Sequence, residues 1–329
     1  MATIGDVAKL AGLSRATVSR VINNHPYVTE EKKKLVVDAM EQLGYVPNSI
    51  AQQLRRQTVT TVAVIVPRIS NPFFSLLVEA MEREAARQGF QLIVCQTQMD
   101  KHRELEYLGW LRKKQIGGII FASTENRWEE IKDYASFGPV VFCNEYPDHT
   151  DVPIIGLDQF EGGYLGTRHL IEKGHRRIAY CGGSDSVTNI RERKKGFDHA
   201  LQEENLFFDE QWSFSGVYDS FDGQRVFREI MKLSPRPTAV FTGSDQVAAG
   251  MIKEARSQGV RVPDAFAVIG FDDQPIAELM DPTITTVYQP VEEMGRRTME
   301  LMIRIISEGH PSEQASAGLS LRVVEREST

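Results

Sequence analysis

The chain has 329 residues, 41% of them hydrophobic and 25% charged, with a formal net charge of −7. That length and balance exclude a disordered chain and allow two domains with sizeable cores. No apolar run reaches the ~18 residues of a membrane span, and "MATIGDVAKLAG" lacks the parts of a secretory signal, so a cytoplasmic protein without membrane contact is expected. Cys95, Cys143 and Cys181 are too widely spaced for a metal knuckle or a CxxC redox pair and read as buried thiols, so no metal or other cofactor is expected.

The charge is unevenly spread. Residues 1–57 hold eight Lys and Arg against five acids, +3, which leaves the rest of the chain at −10. A basic head on an acidic body attracts a polyanion locally while the body keeps the protein dispersed.

In chain order, Thr3 is a candidate N-cap with Asp6 three residues on, Val7, Leu10 and Ala11 share one helical face, and Gly12 ends the helix. Ser14 then caps a second helix, "SRATVSRVINN", whose Val18, Val21 and Ile22 follow the spacing of a buried stripe. Its other face carries Arg15, Ala16, Ser19, Arg20 and Asn23. A third helix starts at Thr29, turns Leu35, Val36, Ala39, Met40 and Leu43 inward, and stops at Gly44. Two short helices joined by a tight Gly turn, with a third closing the core, form a helix-turn-helix, an all-α unit that points the start of its second helix into the DNA major groove. Arg15 sits there, and its planar fork can hold guanine O6 and N7 together. Read singly, these arginines are ordinary solvated side chains; the arrangement gives them a role.

The next stretch, "NSIAQQLRRQ" at 48–57, is too short to stay helical alone, because isolated helices below ~12–15 residues lose to the cost of nucleation. "TIGDVAKLAGLSRATVSRVINN" followed by "GYVPNSIAQQLRR" closely resembles the headpiece of the lactose, galactose and purine repressor family, and the similarity runs over nearly the whole chain. The resemblance implies a DNA-binding set of Ser14, Arg15, Ala16, Thr17, Ser19, Arg20 and Asn23, with Arg15, Ala16 and Arg20 reading bases. It also implies that 48–57 is a hinge that becomes helical when two subunits pair on DNA, Leu54 entering between base pairs from the minor groove with Arg55 beside it. An apolar wedge of this kind unstacks a step at a cost of a few kcal/mol, which wider protein contact offsets. The competing reading packs Leu54 on its own subunit.

From residue 58 the chain alternates short apolar runs ("TVAVIVP", "QLIVCQT", "GGIIFAS", "PVVFCN", "IIGLD", "RIAYCGG", "TAVFTGSD", "FAVIGFDD") with amphipathic helices at 72–88, 160–173, 190–204 and 244–258, and crosses once more at "TITTVYQP". Such strands belong to parallel sheets covered on both faces, and their number suits two α/β lobes better than one sheet. The expected organisation is a headpiece with hinge at 1–57 and, at 58–329, a two-lobed effector-binding and dimerisation body, which resembles a periplasmic binding protein as in the repressor family.

Ligands of open parallel sheets sit at the carboxyl ends of the strands. That rule selects Ser70, Asn71, Phe73, Phe74, Ser123, Asp158, Ser244, Asp245 and Asp272 as effector-binding candidates. Carboxylates among aromatic walls suit a polyhydroxylated or heterocyclic molecule: a sugar, a nucleobase or a related metabolite. The resemblance adds Arg193, from "RKKGF", as a ligand anchor, makes Asp272 in "GFDD" its counterpart from the far lobe, and gives Tyr218 the place of a ring that stacks on ligand. Each could instead be a cleft residue that only maintains packing.

Motifs argue against an enzyme. "EGGYLG" lacks the GxGxxG spacing, and neither a Walker loop, a GxSxG elbow nor an HExxH is present. "CGGSDS" at 181–186 keeps a loop of backbone amides able to take a phosphate. Two classes survive: a ligand-gated transcription regulator, a repressor by resemblance, acting as a homodimer on a near-palindromic double-stranded operator; or a sugar-binding module with a vestigial headpiece, alternatively an enzyme fused to one. Some members of the family answer to a phosphorylated carrier protein, and Arg296, Arg297 and Arg304 on a late helix could accept one, although a solvated helix face explains them as well.

Overall fold

The computed structural model describes residues 2–22, 25–45, 59–144, 152–184, 187–309 and 319–329. The chain separates into two compact units, Met1–Val59 and Thr60–Thr329.

The first unit holds helices α1 (Ile4–Leu10), α2 (Arg15–Ile22) and α3 (Glu30–Leu43). Thr3 and Asp6 form a reciprocal capping box on α1, the Thr3 amide donating to the Asp6 carboxylate at 2.8 Å. Ser14 Oγ accepts from the Thr17 amide at 3.1 Å and so caps α2. Gly12 and Gly44 take the positive φ that ends the helices before them, 65° and 58°. The core is small: Val7, Ala8, Val18, Val21, Val36 and Ala39 are buried against one another. Leu10, Leu35 and Leu43, expected inward, are exposed. Three helices this short enclose one narrow stripe each, and residues at its margin stay wet. Thr29 precedes α3 without a side-chain capping bond, contrary to a full cap.

The second unit is a pair of lobes. In the first, strands β1 (Thr61–Val66), β2 (Gln91–Gln96), β3 (Gly118–Phe121), β4 (Val140–Cys143) and β5 (Ile154–Ile155) form a parallel sheet in the order 2-1-3-4-5. All six residues of β1 are buried because both faces are covered. Val62, Val64 and Val66 meet α4 (Pro72–Arg87), while Ala63 and Ile65 belong to the cluster around α5 (Lys101–Arg112). The second lobe carries β6 (Ile178–Cys181), β7 (Ser213–Phe214), β8 (Ala239–Thr242), β9 (Ala267–Asp272), β10 (Thr285–Tyr288) and β11 (Arg322–Val324) in the order 11-10-9-8-6-7, parallel except for the last pairing of β10 with β11. Helices α6 (Gln159–Glu172), α7 (Thr188–Glu203), α8 (Ser220–Ile230) and α9 (Asp245–Ser257) cover its two faces. The long α10 (Val291–Glu308) returns to the first lobe and packs on α4, close enough that a Cβ on Gly295 would stand 2.7 Å from the Leu77 carbonyl oxygen.

The expected two α/β lobes are therefore present, with every strand named from the sequence in place. The sequence reading missed β7 and β11, which span only two and three residues. No helix among the described residues is long and apolar enough to cross a membrane. Cys95, Cys143 and Cys181 are buried and free, and burial pushes the first two thiols up to about 12.

Candidate functional site

In the first unit the start of α2 is the exposed feature. Arg15, Ala16 and Arg20 face solvent and Ser19 is half-buried. The Arg15 guanidinium folds back over α1, where a Cβ on Gly5 would meet its Nη2 at 2.7 Å. Ser14 and Thr17 are turned to one another, their hydroxyls 2.9 Å apart, so both serve the first turn of the helix. Asn23, Leu54 and Arg55 lie outside the described residues.

In the second unit the strand ends of both sheets converge on a cleft that is partly open to solvent. Ser70, Asn71, Phe73, Phe74 and Ser123 line it from the first lobe, and Arg193, Tyr218, Ser244 and Asp272 from the second, so Asp272 shares the lobe of Arg193 instead of facing it from the far one: β9, which it ends, belongs to the same sheet as β6. Two candidates fall elsewhere. Asp158 is exposed and caps α6, accepting from the Glu161 amide at 2.9 Å; the capping geometry turns its carboxylate onto the helix start instead of the cleft. Asp245 follows Ser244 but points the opposite way, into the core under Gly270, where its Oδ2 accepts from the Gln274 amide at 2.6 Å. Burial, reinforced by the charge of Asp272, holds the Asp245 carboxyl well above the usual range.

Arg193 is buried, yet fully engaged. Its Nη2 and Nε donate to Gln159 Oε1 at 2.7 and 3.2 Å, its Nη1 to the Gly243 carbonyl at 3.0 Å, and its guanidinium lies 3.4 Å over the Phe271 ring. The crossing of α6 and α7 fixes it further, since a Cβ on Gly163 would sit 1.9 Å from the Arg193 carbonyl oxygen. Asp272 stands at the end of β9 with a φ of 99°, a backbone few non-Gly residues adopt. Its Oδ1 accepts from Gln289 at 2.6 Å and its Oδ2 from Gln274 at 2.8 Å. Burial raises its pKa to about 6, against the pull of the Arg193 charge and of the two amide donors. The Tyr218 hydroxyl accepts from the Ser184 amide at 2.9 Å, and Arg68 lies 5.8 Å from its ring centroid.

Sequence reasoning missed Arg68, Glu125, Asn144, Asn189, Gln246 and Gln289, all of which line the cleft. Asn144 and Gln289 directly follow β4 and β10, so the strand-end rule applied to every strand finds them. Asn189 lies in the first turn of α7, eight residues beyond the end of β6, so the strand-end rule does not reach it; its buried Oδ1 has no hydrogen-bond partner among the described residues. Gly182 and Gly183 of the "CGGSDS" loop line the same cleft. Among the described residues no group of side chains could hold a metal ion.

Residues 3–48 match the family model described as bacterial regulatory proteins, lacI family, and residues 167–329 match the periplasmic binding protein-like domain. Over 329 residues, 100% of both chains, the sequence is 43% identical to the NTD biosynthesis operon regulator NtdR of Bacillus subtilis. The chain belongs to the LacI family. Another LacI-type relative, the HTH-type transcriptional repressor PurR of Mannheimia succiniciproducens, is 35% identical over 93% of this chain and 92% of its own. Among solved structures, a complex of the transcriptional regulator CelR with cellobiose is 30% identical over the whole of both chains with a TM-score of 0.74. The lac repressor dimer on operator with the anti-inducer ONPF shares the fold at a TM-score of 0.86, covering 99% and 98% of the two chains at 24% identity. This LacI-family chain is a DNA-binding transcriptional regulator with a ligand-binding body, and its relatives are regulators, not enzymes.

Two of the arginines considered for a carrier protein are already in use. Arg296 pairs with Glu293 at 2.7 Å and Glu300 at 2.6 Å, and Arg297 with Glu293 at 2.6 Å. Hydrogen bonds from the two arginines hold the Glu293 carboxyl down at about 2.

Proposed function

We propose that the protein is a cytoplasmic repressor that binds a near-palindromic operator as a homodimer and changes its grip on DNA when a small molecule fills the interlobe cleft. The observation that carries the effector half is the opposed pair Arg193 and Asp272, held by polar bonds on the floor of a cleft whose other lobe offers Phe73, Phe74, Asn71 and Ser123. Flat apolar faces beside fixed donors and acceptors suit a ligand rich in hydroxyls, a sugar or a related metabolite, better than a fully apolar one. The cellobiose complex of CelR supports that class. Tyr218 would stack on the ligand, and Ser70 and Ser244 would offer hydroxyls to it.

On DNA, Arg15, Ala16 and Arg20 would read base edges from α2, with Ser14, Thr17, Ser19 and Asn23 fixing the helix start and the backbone, while Leu54 and Arg55 act at the minor groove. Pairing of subunits is supported by apolar side chains that a single body leaves exposed: Ile93 and Val94 on the edge strand β2, and Phe221 and Leu279 on the second lobe. A phosphorylated carrier is the weaker reading, because Arg296 and Arg297 are neutralised by their own helix.

Selection of the full-length protein on a randomised duplex pool at near-physiological salt tests the DNA half. An enriched near-palindrome is the expected result. The selected duplex then serves to screen mono- and disaccharides, including cellobiose and sucrose, and nucleobases for a shift in affinity. No enriched site, with or without those compounds, overturns the regulator reading in favour of a binding module.

A further inference from the structure

Three glutamines, none of them on an effector list drawn from the sequence, connect the two cleft anchors. Gln289 donates its Nε2 to Asp272 Oδ1 at 2.6 Å, and its Oε1 accepts from Gln159 Nε2 at 3.1 Å. Gln159 Oε1 in turn accepts both bonds from Arg193. On the other side of Asp272, Gln274 Nε2 donates to Oδ2 at 2.8 Å. Gln159, Gln274 and Gln289 are all buried, at 1%, 1% and 3% exposure, so these bonds are not traded freely for water.

The order of donors and acceptors is forced. An ionised carboxylate only accepts, so Gln289 and Gln274 must both turn their NH₂ groups to Asp272; Gln289 is left presenting oxygen, Gln159 must answer with nitrogen, and its oxygen faces Arg193, which only donates. The relay also leaves its own lobe at two points. Gln274 Nε2 reaches Asn71 Oδ1 at 3.4 Å, and Gln159 Nε2 reaches Asn144 Oδ1 at 3.2 Å. Asn71 is the N-cap of α4, accepting from the Phe73 amide at 3.0 Å, and Asn144 ends β4 with a φ of 64°. Both lie in the first lobe, whereas Gln159, Gln274 and Gln289 lie in or border the second. Gln274 holds this orientation even though its Oε1 is left buried without a partner among the described residues, which marks the donor end as the one that matters.

We propose that Gln159 and Gln274 are positioning residues: they hold Arg193 and Asp272 in register and tie each anchor to the opposite lobe, so that occupying the cleft and closing the lobes become one event. The inference rests on the cleft being the effector site. A ligand that engages Asp272 or Arg193 alters the acceptor or donor at one end of the relay, and the strength of both interlobe bonds follows.

Hydrogen exchange on the full-length protein without ligand tests the link directly. Gln274→Met keeps the length and volume of the side chain and removes its donor. Exchange is expected to rise about tenfold in 68–75 of the first lobe as well as in 272–276 of the second, with β1 and β8 unchanged. A rise confined to the second lobe, or none, overturns the proposal, because a residue that merely packs its own lobe cannot loosen the other. Gln159→Glu supplies the second arm. It keeps the acceptor for Arg193 but has no donor for Asn144 or Gln289, so exchange at 142–144 should rise; Gln159→Met, which loses the acceptor as well, should raise exchange there too and lower the thermal midpoint further. Parental exchange at 142–144 in the Glu variant would remove Gln159 from the role. If the unmodified protein responds to none of the screened sugars and nucleobases, the effector reading fails on that result, and the exchange data still decide the relay.

Discussion

The start of α2 and the interlobe cleft solve recognition in opposite ways. The helix would present its proposed reading surface within two turns of one element, supported by a core of six buried residues and by caps that are local in sequence. The cleft gathers side chains from residue 67 to residue 289, from several strand ends and the helices that follow them, and secures them through bonds that span up to 203 positions of chain. A local site tolerates the loss of one side chain without disturbing the others. A distributed, buried site does not, since every polar group removed leaves a partner unsatisfied.

Arg193→Ala is the strongest way to break that contrast. It strands Gln159 Oε1 and the Gly243 carbonyl and deprives Asp272 of a nearby cation, so the body should lose about 3–5 kcal/mol in denaturant unfolding and respond to no effector. Operator affinity without effector, measured at a temperature where the body remains folded, should change little. Loss of operator binding in the folded variant would show that the cleft shapes the DNA-binding form even when empty.

Arg15→Ala addresses the local site. About 1–3 kcal/mol of discrimination should vanish at one base pair per half-site, with effector response and body stability intact. The side chain must first leave its place over Gly5. A competition series with single-base operator variants checks it: uniform weakening at all positions would make Arg15 a phosphate contact instead of a base reader.

Acidity separates the two regions more finely. Asp272 has a folded pKa of about 6, above its ordinary value, so its contribution to stability is fully present below the unfolded pKa and is lost as pH rises through about 6. The body should therefore gain stability on acidification from pH 7 toward pH 5. Effector affinity should move the other way, falling by up to about tenfold per pH unit below 6, because a ligand hydroxyl needs the ionised acceptor. Asp272→Asn should flatten the affinity profile and reduce the slope of stability, the remaining slope belonging to the buried Asp245 carboxyl. Parallel changes in stability and affinity would mean that the ligand donates nothing to Asp272.

Much of this was legible in the sequence, for identifiable reasons. Caps, glycine stops and helical spacing act over a few residues, which is why Thr3, Ser14, Gly12 and Gly44 could be assigned from neighbours alone. Continuous apolar runs marked nine of the strands, and their ends marked Ser70, Asn71, Phe73, Phe74, Ser123, Ser244 and Asp272 on the wall of the cleft. What failed was orientation. Ser244 and Asp245 are adjacent, yet one faces the cleft and the other the core, and Asp158 answers to the helix it caps. The glutamine relay was invisible for a related reason: an amide has no charge, periodicity or motif to betray it, and its meaning arises only when Gln159 and Gln289, 130 residues apart, are brought within 3.1 Å.

The smallest expected effect tests whether the local site is as self-contained as its caps suggest. Thr3→Ala removes the side chain that accepts from the Asp6 amide and donates to the Asp6 carboxylate. Loss of such a cap costs about 1 kcal/mol of helix stability. Hydrogen bonds from the Thr3 side chain and amide hold the Asp6 carboxyl below its ordinary value. Its contribution is therefore present above the unfolded pKa and is lost as pH falls through the lower, folded one. Headpiece unfolding followed by helical circular dichroism should show a lower midpoint in the variant at neutral pH and convergence with the parent in strong acid, while the transition of the body stays where it was. A shift in the body's transition would mean that the two units share stability, and the contrast between a local and a distributed site would have to be redrawn as one between two ends of a single cooperative structure.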